Sequence, residues 1–395
     1  MRIDLFGDWC PGDKVVNLEY KTEIALVNIE GPIIKKEFDF TENKIDKLGP
    51  SLFSETSPDF SERFVFSLAN NHIMDFGLPG VRSTLENLDS EQNLCVGFCS
   101  KFHDFHEVSM DVGMDRRLTV IASAEHQFGY SSELAEGYVA LSPEIFELIR
   151  LAKARGDYII VSNHGGDEKS FLPSFERRKL FRSYIDAGAD VVWGHHAHVP
   201  QGWEFWEDGL ICYGLGNFVT DPTLISHDKL GQYSLMVTID LQNLHNSEFK
   251  ITRQRLILNR LEIQLLEMPQ SIFEKHFCVI NRILQSDSLL EQYLDMYSRK
   301  IVKEFYSKFI SLAPFRFHIR KTLFSALSRV KNLGENRYLA SIKKLSDHAD
   351  KCESHRQMIQ YYKERKRAIS FKKTYAMKIE HKKLENAKWG LDASQ

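Results

Sequence analysis

The sequence predicts an α/β protein with an all-helical C-terminal extension, on three observations. Short apolar runs alternate with helical patterns up to residue 265, the arrangement of chains that lay helices on sheets. Polar and metal-capable residues collect where those runs end, the place where α/β sheets bind ligands. Beyond Pro269 glycine becomes scarce, Pro314 is the single further proline, and apolar residues recur at helical spacing. The expected domains are 1–265 and 266–395.

The elements follow in order. Arg2–Phe6, Ile24–Ile29 and Phe64–Leu68 have the length and continuous apolar character of buried strands. A helix over Gly80–Leu88 follows the third. Leu118–Ala122 reads as the fourth strand, and the helix Ser142–Ala154 carries Pro143 in its first turn. Tyr158–Ser162 is the fifth strand. The helix Ser174–Ala187 leads into the sixth, Val191–Trp193, and Leu210–Tyr213 is the seventh. Tyr233–Asp240 and Phe249–Glu262 alternate apolar with polar, as antiparallel strands do. Ile280–Tyr297, Ile301–Leu312 and Leu323–Val330 carry helical spacing.

With 43% hydrophobic and 27% charged residues in 395, chain-wide disorder, collagen-like repeats and disulfide scaffolds are excluded. The longest stretch free of Asp, Glu, Lys and Arg is Val191–Trp203, well short of the ~20 apolar residues that a membrane span needs. The opening Met1–Asp8 lacks the pattern of a secretory signal. Six scattered cysteines contain no Cys-x-x-Cys pair, so reduced thiols and a cytoplasmic location are expected, with peripheral contact at the inner membrane face. A net charge of −3 conceals an asymmetry. The last 55 residues carry 14 Lys and Arg against 7 Asp and Glu, a balance of +7, which leaves −10 for the rest.

The strand ends read Gly7-Asp8, Asn28-Ile29-Glu30-Gly31-Pro32, Ala69-Asn70-Asn71-His72-Ile73-Met74-Asp75-Phe76-Gly77, Asn163-His164-Gly165-Gly166-Asp167-Glu168, Gly194-His195-His196-Ala197-His198 and Gly216-Asn217-Phe218. Carboxylates, imidazoles and an amide oxygen suit divalent Mn, Zn, Fe or Mg, with His favouring the transition metals. At the end of an extended segment His196 and His198 project to the same side, so both imidazoles can reach one place. Two divalent ions there would activate a water and clamp a phosphoryl group.

This ordered set resembles the CapA family, named for poly-γ-glutamate capsule synthesis, of the calcineurin-like metallophosphatase superfamily. The likeness covers roughly residues 1–240 and leaves the helical tail outside it. It implies a four-layer αββα sandwich with a two-metal site at the sheet edge. By resemblance, Asp8 and His198 are ligands of a first metal, Glu30 stands at the bridging position, and Asn71, His164 and His196 hold a second metal. His72 then looks like the general acid or the oxyanion stabiliser beside the leaving group. The superfamily's Asp-x-His is here Asp8-Trp9-Cys10, which leaves the first site one imidazole short unless the Cys10 thiolate replaces it.

Alternatives stay open at several positions. Asn28 is the rival of Glu30 as ligand. His72 either catalyses or caps its loop, and Asp75 either fixes the turn after it or touches substrate. Asn163, Glu168 and Asn217 either orient ligands, touch substrate or stabilise loops. His195, next to the pair, is expected to point away or to contact substrate. Cys10 is either a ligand or a packed thiol.

The functional expectation is a metal-dependent hydrolase, a phosphomonoesterase or phosphodiesterase acting on a phosphorylated or polymeric cell-surface substrate. An amide or ester bond would suit the same chemistry. The alternative is a non-catalytic metal-binding subunit of a polymer-synthesis complex, docked through the C-terminal helices. Phe315–Lys331 mixes apolar and basic residues, as membrane-surface helices do, though a helix packing its apolar side on the body is the favoured expectation. Tyr361–Lys383 interleaves aromatics with Lys and Arg. That pattern suits nucleic acid or a polyanionic polymer, but a solvated helix face or a partner-docking arm is the expectation, and nucleic acid is not the expected partner.

Overall fold

Strands that are buried on both faces read as unbroken apolar runs, because neither side of the pleat meets water. The strand β1 (Arg2–Cys10) is of this kind, buried at every residue but the first. The computed structural model describes residues 1–301 except 36, 39–43, 45–49, 101–105, 114–115, 133–134, 225–230 and 267–269. The expectations for Leu323–Val330, Phe315–Lys331 and Tyr361–Lys383, and for Ile301–Leu312 beyond its first residue, fall outside them.

In chain order β2 (Val15–Leu18), β3 (Thr22–Ile29), β4 (Ser61–Ser67), β5 (Asn93–Val96), β6 (Phe98–Cys99), β7 (Glu107–Asp111), β8 (Arg117–Ala124) and β9 (Gly137–Tyr138) follow. The second half adds β10 (Tyr158–His164), β11 (Val191–His195), β12 (Trp203–Trp206), β13 (Gly209–Cys212), β14 (Asn217–Thr220), β15 (Tyr233–Asp240), β16 (Glu248–Ile257) and β17 (Arg260–Leu266). Five helices, α1 (Gly77–Leu88), α2 (Glu144–Arg155), α3 (Phe175–Ala187), α4 (Gln270–Leu284) and α5 (Asp287–Ile301), complete the described chain.

One sheet runs β2-β17-β16-β15-β1-β3-β4-β5, with β14 also paired to β1. Its β1, β3, β4 and β5 are parallel neighbours, and β15 to β17 form an antiparallel meander. The other sheet runs β12-β13-β11-β10-β8-β7 with a parallel centre. The two stack face to face. Trp193 Nε1 donates to the Phe6 carbonyl at 2.9 Å, and Ser162 Oγ and Ser67 Oγ lie 2.9 Å apart across the gap. Phe6, Phe60 and Phe218 pack as a triad with ring centroids 4.6–5.5 Å apart. Helices α2 and α3 pack on the second sheet and α1 packs against β5 of the first, which gives the expected α/β sandwich.

Local chemistry sets the helix ends. Ser174 caps α3 by accepting from the Arg177 N–H at 3.1 Å, the use of serine that satisfies a donor with no helical partner. Gly156 ends α2 at φ 82°, its N–H reaching the carbonyls of Ala152 and Lys153. The alternating run Phe249–Glu262 is a hairpin, broken at Leu258-Asn259, where φ is 47° and 65°. Leucine carries no turn signal, so the sequence pattern ran through it.

The chain forms two compact units, Met1–Ser286 and Asp287–Gln395. Helix α4 belongs to the first, downstream of residue 265: Asn281 Oδ1 accepts from the Trp203 N–H at 3.0 Å, and Phe277 packs on the Trp203 ring. Among the described residues no helix is long and apolar enough to cross a membrane.

Candidate metal centre

The registers of the parallel strands put the polar motifs at one edge of the sandwich. Asp8 pairs with Asn28 on β3 and with Asn217 on β14, and Asn28 pairs with Ser67 on β4. In the facing sheet His164 ends β10 opposite His195 at the end of β11. Backbone bonds tie these ends together, Asp8 N–H to the Gly216 carbonyl and Glu30 N–H to the Trp9 carbonyl, each at 3.0 Å. Gly7 permits the first: a Cβ there would sit 1.8 Å from the Gly216 oxygen.

Glu30, His164 and His196, all buried, bring one ligand atom each within 4.8 Å of one another. His164 Nε2 is 3.0 Å from His196 Nδ1 and 2.9 Å from Asn71 Oδ1, and His164 Nδ1 is 3.4 Å from Glu30 Oε2. Asn28 is engaged with both carboxylates. Its amide donates to Asp8 Oδ1 at 2.9 Å and to Glu30 Oε2 at 2.8 Å, while its oxygen faces Asn70 Nδ2. With both hydrogens committed to carboxylates, Asn28 orients the acids and Glu30 is the one that faces the imidazoles.

A second group surrounds Asp8. Its Oδ2 lies 3.3 Å from His198 Nδ1, which also lies 3.0 Å from Asn217 Oδ1. Its Oδ1 lies 3.2 Å from His195 Nδ1. His195 therefore points into the cluster, contrary to the expectation that it turns away. The assumption of continued extension after β11 was at fault: the strand ends at His195, and His196 and His198 adopt φ 83° and 57°. Left-handed backbone at a histidine costs roughly 1–3 kcal/mol. That turn, rather than strand alternation, brings the imidazoles to one place.

At the mouth of the site His72 Nδ1 lies 2.7 Å from Asp75 Oδ2, and the His72 side chain keeps 13% of its exposure. Exposed Glu168 reaches 4.0 Å from His196 Nε2. Cys10 does not join the cluster. Its thiol donates to the Phe53 carbonyl at 3.3 Å and packs on Leu52 and Leu224, and burial, with Glu30 nearby, pushes its pKa well above the thiol range. Asn163 turns away from the ligands, donating to Ser123 Oγ at 2.9 Å and accepting from Arg177 Nη1.

Sequence reasoning missed the support behind these side chains. Arg177 Nη2 bonds Glu125 Oε2 at 2.8 Å, and that oxygen also accepts from the Gly166 N–H at 3.0 Å. The Glu125 N–H in turn donates to the His164 carbonyl at 2.9 Å. This buried pair pins the turn after His164, and a Cβ on Gly165 would strike both members. A carboxylate three residues after the fourth apolar run was the available signal.

The electrostatics differ between the two groups of side chains. Burial lowers His164 well below the ordinary imidazole range and His196 to about 4, so both are neutral near pH 7, the form that ligates a cation. Burial works to raise Asp8, yet the facing His195 and His198 hold it well below the usual carboxylate range. Burial also lowers His198, but the Asp8 carboxylate outweighs it and lifts the imidazole to about 9. Asp8 Oδ2 and His164 Nδ1 are buried with no hydrogen-bond partner among the described residues. Two imidazole nitrogens 3.0 Å apart beside a carboxylate and an amide oxygen fit donors set about 2.0–2.2 Å from one divalent ion.

Fold and centre together define an α/β-sandwich protein with a buried carboxylate–imidazole cluster where two sheets meet. The chain belongs to the bacterial capsule synthesis protein PGA_cap family, whose model matches residues 12–222 and so covers every residue of the cluster except Asp8. It is 30% identical over 181 residues to the capsule biosynthesis protein CapA of Bacillus anthracis, spanning 43% of this chain and 44% of that one. It is 32% identical over 183 residues to the PGA biosynthesis protein CapA of Bacillus subtilis, spanning 43% and 47%. A probable polyglutamine synthesis accessory protein of Mycobacterium tuberculosis is 28% identical over 243 residues, spanning 56% and 62%. The chain thus spans less than half the length of the two Bacillus relatives.

Proposed function

We propose that this protein is a metal-dependent phosphoester hydrolase serving the synthesis or trimming of a capsule or other cell-surface polymer. The observation that carries the reading is the convergence of Glu30, His164 and His196, with Asn71 on His164 and the His72–Asp75 pair beside them. Divalent ions held there would supply an activated water and charge neutralisation at phosphorus. Asn71, Glu30, His164 and His196 would hold one ion, and Asp8 with His198 would contribute to the other.

The remaining work falls to the chain itself. Asp75 accepts from His72 Nδ1 and fixes the ring, leaving Nε2 to meet the substrate. From the mouth His72 can donate a proton to the leaving oxygen or a hydrogen bond to the developing charge. Asn28 spaces the two carboxylates, Asn217 orients His198, and the Glu125–Arg177 pair holds the His164 turn. Glu168, exposed at 47% beside His196, faces the incoming substrate.

Purified protein is expected to hold transition metal and to hydrolyse p-nitrophenyl phosphate or bis-p-nitrophenyl phosphate. A His196→Ala/His198→Ala variant with full metal content and full turnover would remove the site from consideration. The name of the mycobacterial relative, an accessory protein, favours a second reading as a non-catalytic subunit of a polymer-synthesis complex. Bound metal without turnover on a broad phosphoester panel would select that reading.

A further inference from the structure

His195 has no task in the function just described, yet its surroundings are demanding. Its side chain is fully buried, with Nδ1 3.2 Å from Asp8 Oδ1. The ring meets Trp193 edge-on at 4.3 Å and lies nearly parallel to His164 at 6.3 Å. Neither ring nitrogen has a hydrogen-bond partner among the described residues. A buried polar atom left so is costly, and a bound group is one of the few things that offsets the cost.

The Asp8 carboxylate is divided between two imidazoles, Oδ1 toward His195 and Oδ2 toward His198. Spacings of 3.2 and 3.3 Å suit neighbouring donors that share a divalent ion about 2.0–2.2 Å from each. Cys10, two residues after Asp8, gives this group no donor, because its sulfur is engaged with the Phe53 carbonyl. Without a further imidazole this group would offer Asp8 and His198 beside the carboxylate of Glu30.

We infer that His195 is a ligand of the first metal and supplies, from the end of β11, the imidazole that position 10 does not. The inference rests on the two-ion reading above. The ion it completes is a divalent transition metal that accepts nitrogen and oxygen donors, such as Zn, Mn, Fe or Co. The backbone accounts for the reach: β11 keeps extended geometry through His195, and only then turns left-handed to carry His196 and His198.

The test counts metal rather than activity. Metal-free protein is titrated with Co²⁺, and bound metal is measured by elemental analysis alongside the visible absorption of the ion. Wild type is expected to bind two ions per chain. His195→Phe, which fills the space beside Trp193 without a donor, is expected to bind one, and so is His196→Ala; the two combined should bind none. His195→Gly should regain its second ion and the wild-type spectrum when imidazole is added to the buffer, an outcome that packing alone does not produce. If His195→Phe binds two ions with unchanged affinity, the inference fails and the two-ion reading stands. Should His195→Phe lose both ions, recovery of two by His195→Gly with imidazole supports the assignment, and no recovery overturns it. A wild type that binds fewer than two ions sinks the two-ion reading and this inference with it.

Discussion

His72 and Asp75 form a hydrogen-bonded pair, Nδ1 to Oδ2 at 2.7 Å, and the same carboxylate oxygen accepts the Leu52 backbone N–H at 2.7 Å. Asp75 is buried while His72 remains partly exposed, so the acid is locked in place and the imidazole is the member open to solvent. A carboxylate behind a histidine fixes its tautomer and ring plane. The turn that begins at Asn70 therefore presents an oriented nitrogen beside the cluster.

If His72 acts on substrate, His72→Ala should lower kcat by about 10²–10⁴-fold and leave metal content unchanged. Asp75→Asn should cost less, about 10–100-fold, as the loss of an orienting partner does. Steady-state kinetics with metal analysis on the same preparations checks both. Equal loss of metal and turnover would place His72 among the ligands instead.

The pair Arg177–Glu125 predicts a stability effect separable from chemistry. Arg177→Met leaves Glu125 buried without its cation, which typically costs about 3–5 kcal/mol. Adding Glu125→Gln should restore part of that loss. Denaturant unfolding of the two single variants and the double variant reads the coupling, and additive effects would argue against it.

Asp167 makes stability depend on pH. Burial, assisted by Glu125, raises its pKa from 3.8 to about 7. The folded state therefore holds a proton that the unfolded state has released, and stability falls as pH rises from about 4 to about 7. Asp167→Asn removes the titration. The variant should gain on wild type across that window, by a few kcal/mol in all, with no further gain above it. Thermal melts in chelator from pH 4 to 8 compare the two, and a constant difference would contradict the assignment.

Gly7 sets the join between β1 and β14. A Cβ placed 1.8 Å from the Gly216 oxygen must push the strands apart just where Asp8 pairs with Asn217. Gly7→Ala should destabilise the fold by roughly 1–3 kcal/mol, the usual scale of overpacking, and weaken metal binding at Asp8. Unaltered melting and unaltered metal affinity would show that the strands part without consequence.

Much of the framework was legible because periodicity and burial are local properties. The apolar runs at Ile24–Ile29, Tyr158–Ser162 and Val191–Trp193 all became core strands of β3, β10 and β11. The helix expected over Ser174–Ala187 formed as α3, with Ser174 at its N-cap. Edge strands were not legible: β2 and β7 are short and half exposed, and β2 pairs with β17, far away in the chain. The hairpin at Leu258-Asn259 escaped for a similar reason, since its residues do not advertise a left-handed turn.

By itself the sequence determined the order of the elements and the stock of ligand types at the strand ends, since residue chemistry and spacing are written there. Tertiary structure alone decided which way each side chain faces. It committed the Asn28 amide to two carboxylates, turned Cys10 to the Phe53 carbonyl, and drew His195 inward onto Asp8. The physical reason is that direction depends on where a strand stops and what packs behind it. Left-handed backbone at His196 and His198 redirects their two imidazoles, and no spacing rule along the chain carries that information.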